Sequence, residues 1–280
     1  MAEKIKLKGH EKFVLREGWL TKGLFAVKDN NKVFAGDSGA DALGVGTNMV
    51  KAIRYYLQAF SLVSESAQKG TNLNEIGNII VENDPYIEDS FTLCVLHSLI
   101  SGNEEKATTW YLLFNQKEIT EFTKEDMVSY IHREIFARYG KEVPIGSVKD
   151  DIDVLLNMYG KNDPLADPED KLHSPLATLK LIKKDGDTYS KQQPNMKCIS
   201  KDFILYVISS LLLDEESVSI DKVCTYMESV FGVPWVQTNE LLDMLDREEL
   251  IRVDRTAGLD MIYPINVSTP YEVIKNHYRK

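Results

Sequence analysis

Apolar residues recur every three to four positions through most of the chain, and few stretches alternate. In "LREGWLTKGLFAV", Leu15, Trp19, Leu20 and Leu24 fall on one helical face. "NNKVF" reads as a turn followed by a short extended piece, and "SGADALG" as a short helix closed by Gly44. Thr47 or Asn48 then caps a helix whose residues Met49, Val50, Ile53, Leu57 and Phe60 point one way. Asn48, Lys51, Arg54, Tyr55 and Gln58 point the other way. A short helix, a glycine turn and a second amphipathic helix form a helix-turn-helix signature.

The middle of the chain continues in the same period. "LNEIGNIIVEN" ends at Asp84-Pro85, which disfavours helix at Asp84. "DSFTLCVLHSLIS" predicts a buried helix capped by Asp89 or Ser90, and "ATTWYLLFN" is too apolar for the surface. "TKEDMVSYIHREIFARYG" predicts a helix with Thr123 and Asp126 as its capping box and Gly140 as its stop. "SVKDDIDVLLNMYG" repeats that pattern with Ser147 and Asp150, and "KNDPLADPEDKLHSP" follows as an exposed loop. Near the C-terminus, "KDFILYVISSLLL", "SIDKVCTYMESVF" and "TNELLDMLDREEL" predict three helices, the last capped by Thr238. "IRVDRTAGLDMIYPI" predicts a β-hairpin. The expected fold is mainly α with small β-hairpins. Winged-helix-like units at residues 1–70 and 191–280 flank a helical middle at 71–190.

The net charge of −10 over 280 residues argues against a general nucleic-acid coat protein, which would be basic throughout. Any DNA contact must then use a local basic patch and depend steeply on salt. Cys94, Cys198 and Cys224 are far apart and form no CxxC pair, so reduced thiols in the cytoplasm are expected. "MAEKIKLKGHEKF" has no apolar signal-peptide core, and "FILYVISSLLL" is too short to span a membrane.

Thr47, Asn48, Lys51, Arg54 and Tyr55 are the candidate DNA-binding residues, with Arg54 suited to a guanine edge and Asn48 to an adenine edge. A merely solvated basic face gives the same pattern. His10 and Glu11 could run acid–base chemistry, or be a surface pair leading into a helix. Glu88 and Asp89 could hold Mg2+, although acids in a first helical turn are favoured by the helix dipole alone. His97, inside an apolar helix, reads as a hydrogen-bonded core residue. The third C-terminal helix carries Glu240, Asp243, Asp246, Glu248 and Glu249, which phosphates would repel, so that unit suits protein contacts.

"GHEKFVLREGWLTKGL", "LGVGTNMVKAIRYYL", "NDPYIEDSFTLCVLHSLIS", "ATTWYLLFN", "SVKDDIDVLL", "SPLATLKLI" and "DRTAGLDMIY" occur in an order that resembles the bacterial domain-of-unknown-function family four-thousand-seven. The helix-turn-helix match covers Leu43, Gly44, Val45, Gly46, Asn48, Met49, Val50, Ile53 and Arg54, with Thr47 where the family pattern usually has lysine. The family's "ED" and "TTW" positions match Glu88, Asp89, Thr108, Thr109 and Trp110. Ser174 stands where the family often carries cysteine before the proline. The resemblance implies a place in DNA phosphorothioation and phage-defence loci. Its implied partners are DNA, a cysteine desulfurase, an ATPase and a sulfur-transfer enzyme, with a homodimer as a further expectation. It also implies a nickase that prepares a strand for sulfur insertion; if that nicking uses Mg2+, the residue types make His10, Glu11, Glu88 and Asp89 the first catalytic candidates, with Glu88 and Asp89 as metal ligands. The alternative is a non-enzymatic DNA-binding adaptor or transcriptional regulator of the same locus.

Overall fold

A computed structural model describes residues 5–36, 38–116, 118–160, 173–213, 215–266 and 268–279. Helices α1 (Trp19–Asp29), α2 (Ser38–Leu43) and α3 (Thr47–Ala59) lead into a hairpin of β1 (Val63–Ser66) and β2 (Gly70–Leu73). The positions predicted to be extended after Asn30 form turns instead. Gly70 has φ +69°, and a Cβ there would lie 2.4 Å from the Asn31 carbonyl oxygen, so only glycine closes this hairpin against the preceding turn.

Helix α4 (Glu75–Asn83) is capped by Asn74, and α5 (Ser90–Gly102) by Asp89. The chain continues through α6 (Thr108–Phe114), β3 (Glu121–Thr123), α7 (Lys124–Tyr139) and α8 (Ile145–Gly160), then β4 (Ile182–Asp185) and β5 (Thr188–Lys191). The capping box of Thr123 and Asp126 opens α7, and Gly140 closes it in the left-handed region. Helix α8 starts earlier than expected, at Ile145, which leaves Asp150 inside the helix and free to bind elsewhere. The exposed loop predicted over residues 161–175 lies largely in 161–172, outside the described residues.

The last part comprises α9 (Lys201–Leu211), β6 (Val218–Ser219), α10 (Ile220–Phe231), α11 (Trp235–Arg247), β7 (Ile251–Asp254), β8 (Met261–Pro264) and α12 (Pro270–Tyr278). Helix α11 begins after Pro234, so Thr238 is a buried residue within the helix rather than its cap.

The middle is not purely helical. Strands β3, β5 and β4 form an antiparallel sheet in that order, and β6, β8 and β7 form another in the same first–third–second order. The sequence helix, strand, helix, helix, hairpin thus occurs in α6–β5 and again in α9–β8. The hairpin β4–β5 turns on Gly186-Asp187, a signal hidden by the four exposed charges around it. The expected boundaries at 70 and 190 cut β2 and β5, and one continuous apolar cluster runs from Leu15 to Ile274. Among the described residues no helix is long and apolar enough to cross a membrane.

Helix α5 is buried along most of its length. At its centre His97 is fully enclosed. Its Nε2 lies 2.9 Å from the Val230 carbonyl oxygen and its Nδ1 2.8 Å from the Tyr159 hydroxyl. A carbonyl can only accept, so Nε2 carries the proton and Nδ1 accepts from Tyr159. Phe114 and Phe231 present their rings edge-on to the imidazole. Four helices, α5, α6, α8 and α10, therefore meet at one neutral ring.

Burial lowers the His97 pKa to about 4. An unfolded chain binds this proton near pH 6.5 and the folded one does not, so this group's contribution is complete above that pH and is lost as pH falls toward 4. Between pH 7 and pH 5 its share of the loss is about 2 kcal/mol. Urea denaturation of wild type and His97→Phe at both pH values tests this, and the variant is expected to show a correspondingly smaller difference.

Candidate nucleic-acid interface

Helix α3 crosses α1 at Gly23, where a Cβ would lie 2.8 Å from Ile53 and 2.9 Å from Leu57. This close approach buries Ala52, Ile53, Tyr56, Leu57 and Ala59. Thr47, Asn48 and Lys51 are exposed on the opposite side, with the Lys51 Nζ 3.4 Å from the Asn48 Oδ1. Gly46 precedes the helix without a side-chain cap, and no acid occupies the first turn. The opening N–H groups and the positive end of the helix dipole therefore face outward uncapped by a side chain.

Arg54 is 45% exposed but already engaged. Its Nε and Nη2 bind the two carboxylate oxygens of Glu65 at 2.8 and 2.7 Å. Burial raises the Glu65 carboxyl, but hydrogen bonds from Arg54, Gln58 and Thr71 outweigh it and hold the group ionised below its ordinary range. The fork of Arg54 thus fixes the β1–β2 hairpin against α3 instead of standing free for a base edge. Tyr55 is only 5% exposed and meets the His10 ring edge-on, so it is not on the exposed face. It lies on the flank of α3 that the N-terminal segment covers. Gly9 allows this, since a Cβ there would come within 2.2 Å of the Tyr55 ring.

The turn before α2 is tied to the hairpin by Thr71 N–H donating to the Asn31 carbonyl at 2.8 Å and the Asn31 amide donating to the Lys69 carbonyl at 3.2 Å. Lys32 and Lys69, both exposed, are carried by these joined segments. Residues 1–70 contain 11 lysines and arginines against 7 acids, within a chain of net charge −10.

The proposed His10–Glu11 pair is not assembled. His10 is fully buried and its Nε2 lies 3.0 Å from Asp151 Oδ1, while Nδ1 accepts the Lys12 backbone N–H at 3.0 Å. Glu11 is exposed, with φ +50°. Asp151 also accepts from the Lys8 N–H at 2.8 Å and the Thr109 hydroxyl at 2.9 Å. Lys8 and Lys12 both place Nζ 3.0 Å from Asp150. The segment around "GHEKF" is thus a strap fastened to α8, with Asp150 and Asp151 of "KDDID" as its anchors.

The Asp89 side chain, unlike that of Glu88, is engaged by other groups of the protein. Asp89 accepts from the Phe91 N–H at 2.8 Å as the cap of α5, and its Oδ2 lies 3.0 Å from His277 Nε2. The other ring nitrogen of His277 lies 2.8 Å from Asp202 Oδ2, and the ring stacks on Phe91 at 4.0 Å. Asp84 accepts from Glu88 N–H at 3.0 Å, Asp89 N–H at 3.1 Å and the Thr92 hydroxyl at 2.6 Å. Glu88 leaves its side chain exposed. Among the described residues no group of three or more His, Cys, Asp or Glu gathers to hold a metal. An imidazole clasps Asp89 to Asp202 where the expected metal would need open oxygens. Asp202 and His277 lie far from Asp89 in the chain, and no sequence signal linked them.

These features define a mainly helical protein of net charge −10 in which α3 exposes Thr47, Asn48 and Lys51. The family profile described as protein of unknown function (DUF4007) matches residues 7–278, and the chain belongs to that family. Two solved structures resemble it, one described as magnesium ion-bound SspB and the other as SspB. Each has a TM-score of 0.87 at 22% identity and covers 99% of this chain and 90% of the other. That likeness establishes a shared fold. No curated protein matches the chain.

Removing the Asp151 carboxylate strands three buried or half-buried donors. Asp151→Ala is expected to destabilise the protein by about 3 kcal/mol, and Glu11→Ala to change stability by less than about 0.5 kcal/mol. Urea denaturation of the two variants distinguishes a strap anchored by Asp151 from a functional His10–Glu11 pair.

Proposed function

We propose that this chain is a DNA-binding component of a DNA phosphorothioation or phage-defence assembly. It grips DNA through a winged-helix unit made of α1, α2, α3 and the β1–β2 hairpin. The observation that carries this reading is the uncovered face of α3, where Thr47, Asn48 and Lys51 stand exposed beside a helix start with no side-chain cap. In this docking α3 enters the major groove, while Lys32 and Lys69 meet phosphates from the hairpin side. Arg54 is a positioning residue that holds the hairpin at a fixed angle to α3 through Glu65.

The other two helix–hairpin units offer no equivalent surface. In α8, Asp150 and Asp151 are occupied by the N-terminal strap, and α11 exposes Glu240 and Asp243. The membership in DUF4007 and the SspB-like fold support the assembly context. The proposal stops at binding, because His10, Glu11, Glu88 and Asp89 do not converge on one point. On this reading the chain is the DNA-handling adaptor of its assembly.

Lys51→Glu is expected to weaken duplex binding about tenfold or more near physiological salt, and to reduce the slope of log affinity against log salt by about 1. Tyr55→Phe is expected to leave affinity unchanged, because that ring is buried. Fluorescence anisotropy with a labelled duplex measures both. A supercoiled plasmid with Mg2+ gives the complementary test: the expected result is a mobility shift with circles left closed. Conversion to open circles, abolished by Glu88→Ala or Asp89→Ala, would replace the adaptor with a nickase.

A further inference from the structure

Between α9, the start of β7 and helix α12 lies a groove of about 980 Å3. Leu205, Ile208, Leu212, Ile251, Pro264 and Val273 make its surface largely apolar. Leu213 stands at its lip with 68% of its surface in solvent, and Ile265, between the lining residues Pro264 and Asn266, is 49% exposed. Apolar side chains left in water around a concave, apolar surface mark a binding face.

The charges around the groove select the occupant. Asp202, Glu215, Glu216 and Glu248 line it against one cation, Lys201. Lys201 is bound to Glu248 at 2.7 Å, Lys222 reaches Glu215 only at 3.6 Å across an exposed edge, and His277 binds Asp202 at 2.8 Å, so the negative charge open to an occupant is that of the exposed Glu215 and Glu216. Helix α9 has no basic residue in its last turn, so the negative end of its dipole points toward Leu212 and Leu213 without compensation from its own side chains. Phosphates would be repelled here, which separates this surface from the face of α3. Prolines 264 and 270 restrict the backbone of two walls and limit what ordering the groove costs on binding.

We infer that this groove docks a basic amphipathic segment of a partner polypeptide. Its apolar side chains fill the space over Ile208, Leu212 and Val273. Its lysines or arginines face Glu215, Glu216 and the carbonyl end of α9. The shape and charge matching follow the helix-in-groove mode of recognition, and the inference does not depend on the DNA-binding reading.

A fluorescein-labelled amphipathic peptide of leucine and lysine at helical spacing serves as the probe, with full-length protein and anisotropy as readout. A companion peptide carries glutamate in place of every lysine. The leucine–lysine peptide is expected to bind and the leucine–glutamate peptide to fail. Leu213→Glu, and separately the pair Glu215→Lys and Glu216→Lys, are each expected to weaken binding at least about tenfold. Both target exposed side chains, and circular dichroism confirms folding. Glu121→Lys, an exposed charge reversal on β3, is expected to leave affinity unchanged. Equal binding of both peptides, or loss by Glu121→Lys as large as that at the groove, would overturn the inference. So would self-association, seen by sedimentation, that Leu213→Glu abolishes, because the occupant would then be a second copy.

Discussion

The neutral ring of His97 is the constraint on which the interior depends. Its two nitrogens have different partners that require opposite roles, a carbonyl that must receive a proton and a hydroxyl that can give one. One tautomer satisfies both, and a second proton would turn Nδ1 from acceptor into donor against Tyr159. The ring therefore fixes α5 relative to α8 and α10 by direction as well as by burial. Apolar packing alone tolerates small slides between helices, whereas a directional bond inside a low-dielectric core does not. The histidine that joins the middle and C-terminal units can do so only while uncharged.

A similar division of labour appears at the seams further out. His10 joins the N-terminal strap to α8 through Asp151, and His277 joins α12 to the starts of α5 and α9 through Asp89 and Asp202. Each histidine pairs with a carboxylate from a distant part of the chain. Acids that look like catalytic or metal-binding clusters in the sequence are here spent on closing the molecule. The buried pair at Asp151 is stabilising only because its oxygens collect three donors, since an under-satisfied carboxylate at that depth would cost several kcal/mol.

Much of the local structure was legible in the sequence because it is written at short range. The Thr123–Asp126 box, the Gly140 stop, the Asp89 cap and the apolar face of α3 all depend on residues within a few positions of one another. Errors arose where distant contacts decide. Ser147 and Asp150 have the spacing of a capping box, but Asp150 is taken by Lys8 and Lys12. Tyr55 shares the polar pattern of Lys51 and Arg54, yet Gly9 brings the strap over it. Arg54 reads as a free cation until the hairpin delivers Glu65. The hairpin β4–β5 carries no period of two, since β4 is exposed at three of its four positions and β5 is half-buried throughout, and α12 is short and polar on most of its surface.

The units also show how one topology acquires different surfaces. The α6–β5 and α9–β8 units share strand order, and all three units end with two helices and a hairpin. What differs is the fate of the last helix before each hairpin. That of the second unit is covered by the strap, that of the third is acidic, and that of the first keeps Thr47, Asn48 and Lys51 in solvent. A negatively charged body then has a consequence for the exposed basic face. At separations beyond a Debye length of about 8 Å the acids are screened at physiological salt, whereas a phosphate in contact with Lys51 feels chiefly its immediate neighbours. Glu65 would be the damaging neighbour, and the bidentate pairing with Arg54 cancels its charge locally. The same ion pair that ties the hairpin to α3 thus also neutralises Glu65, as the proposed docking requires.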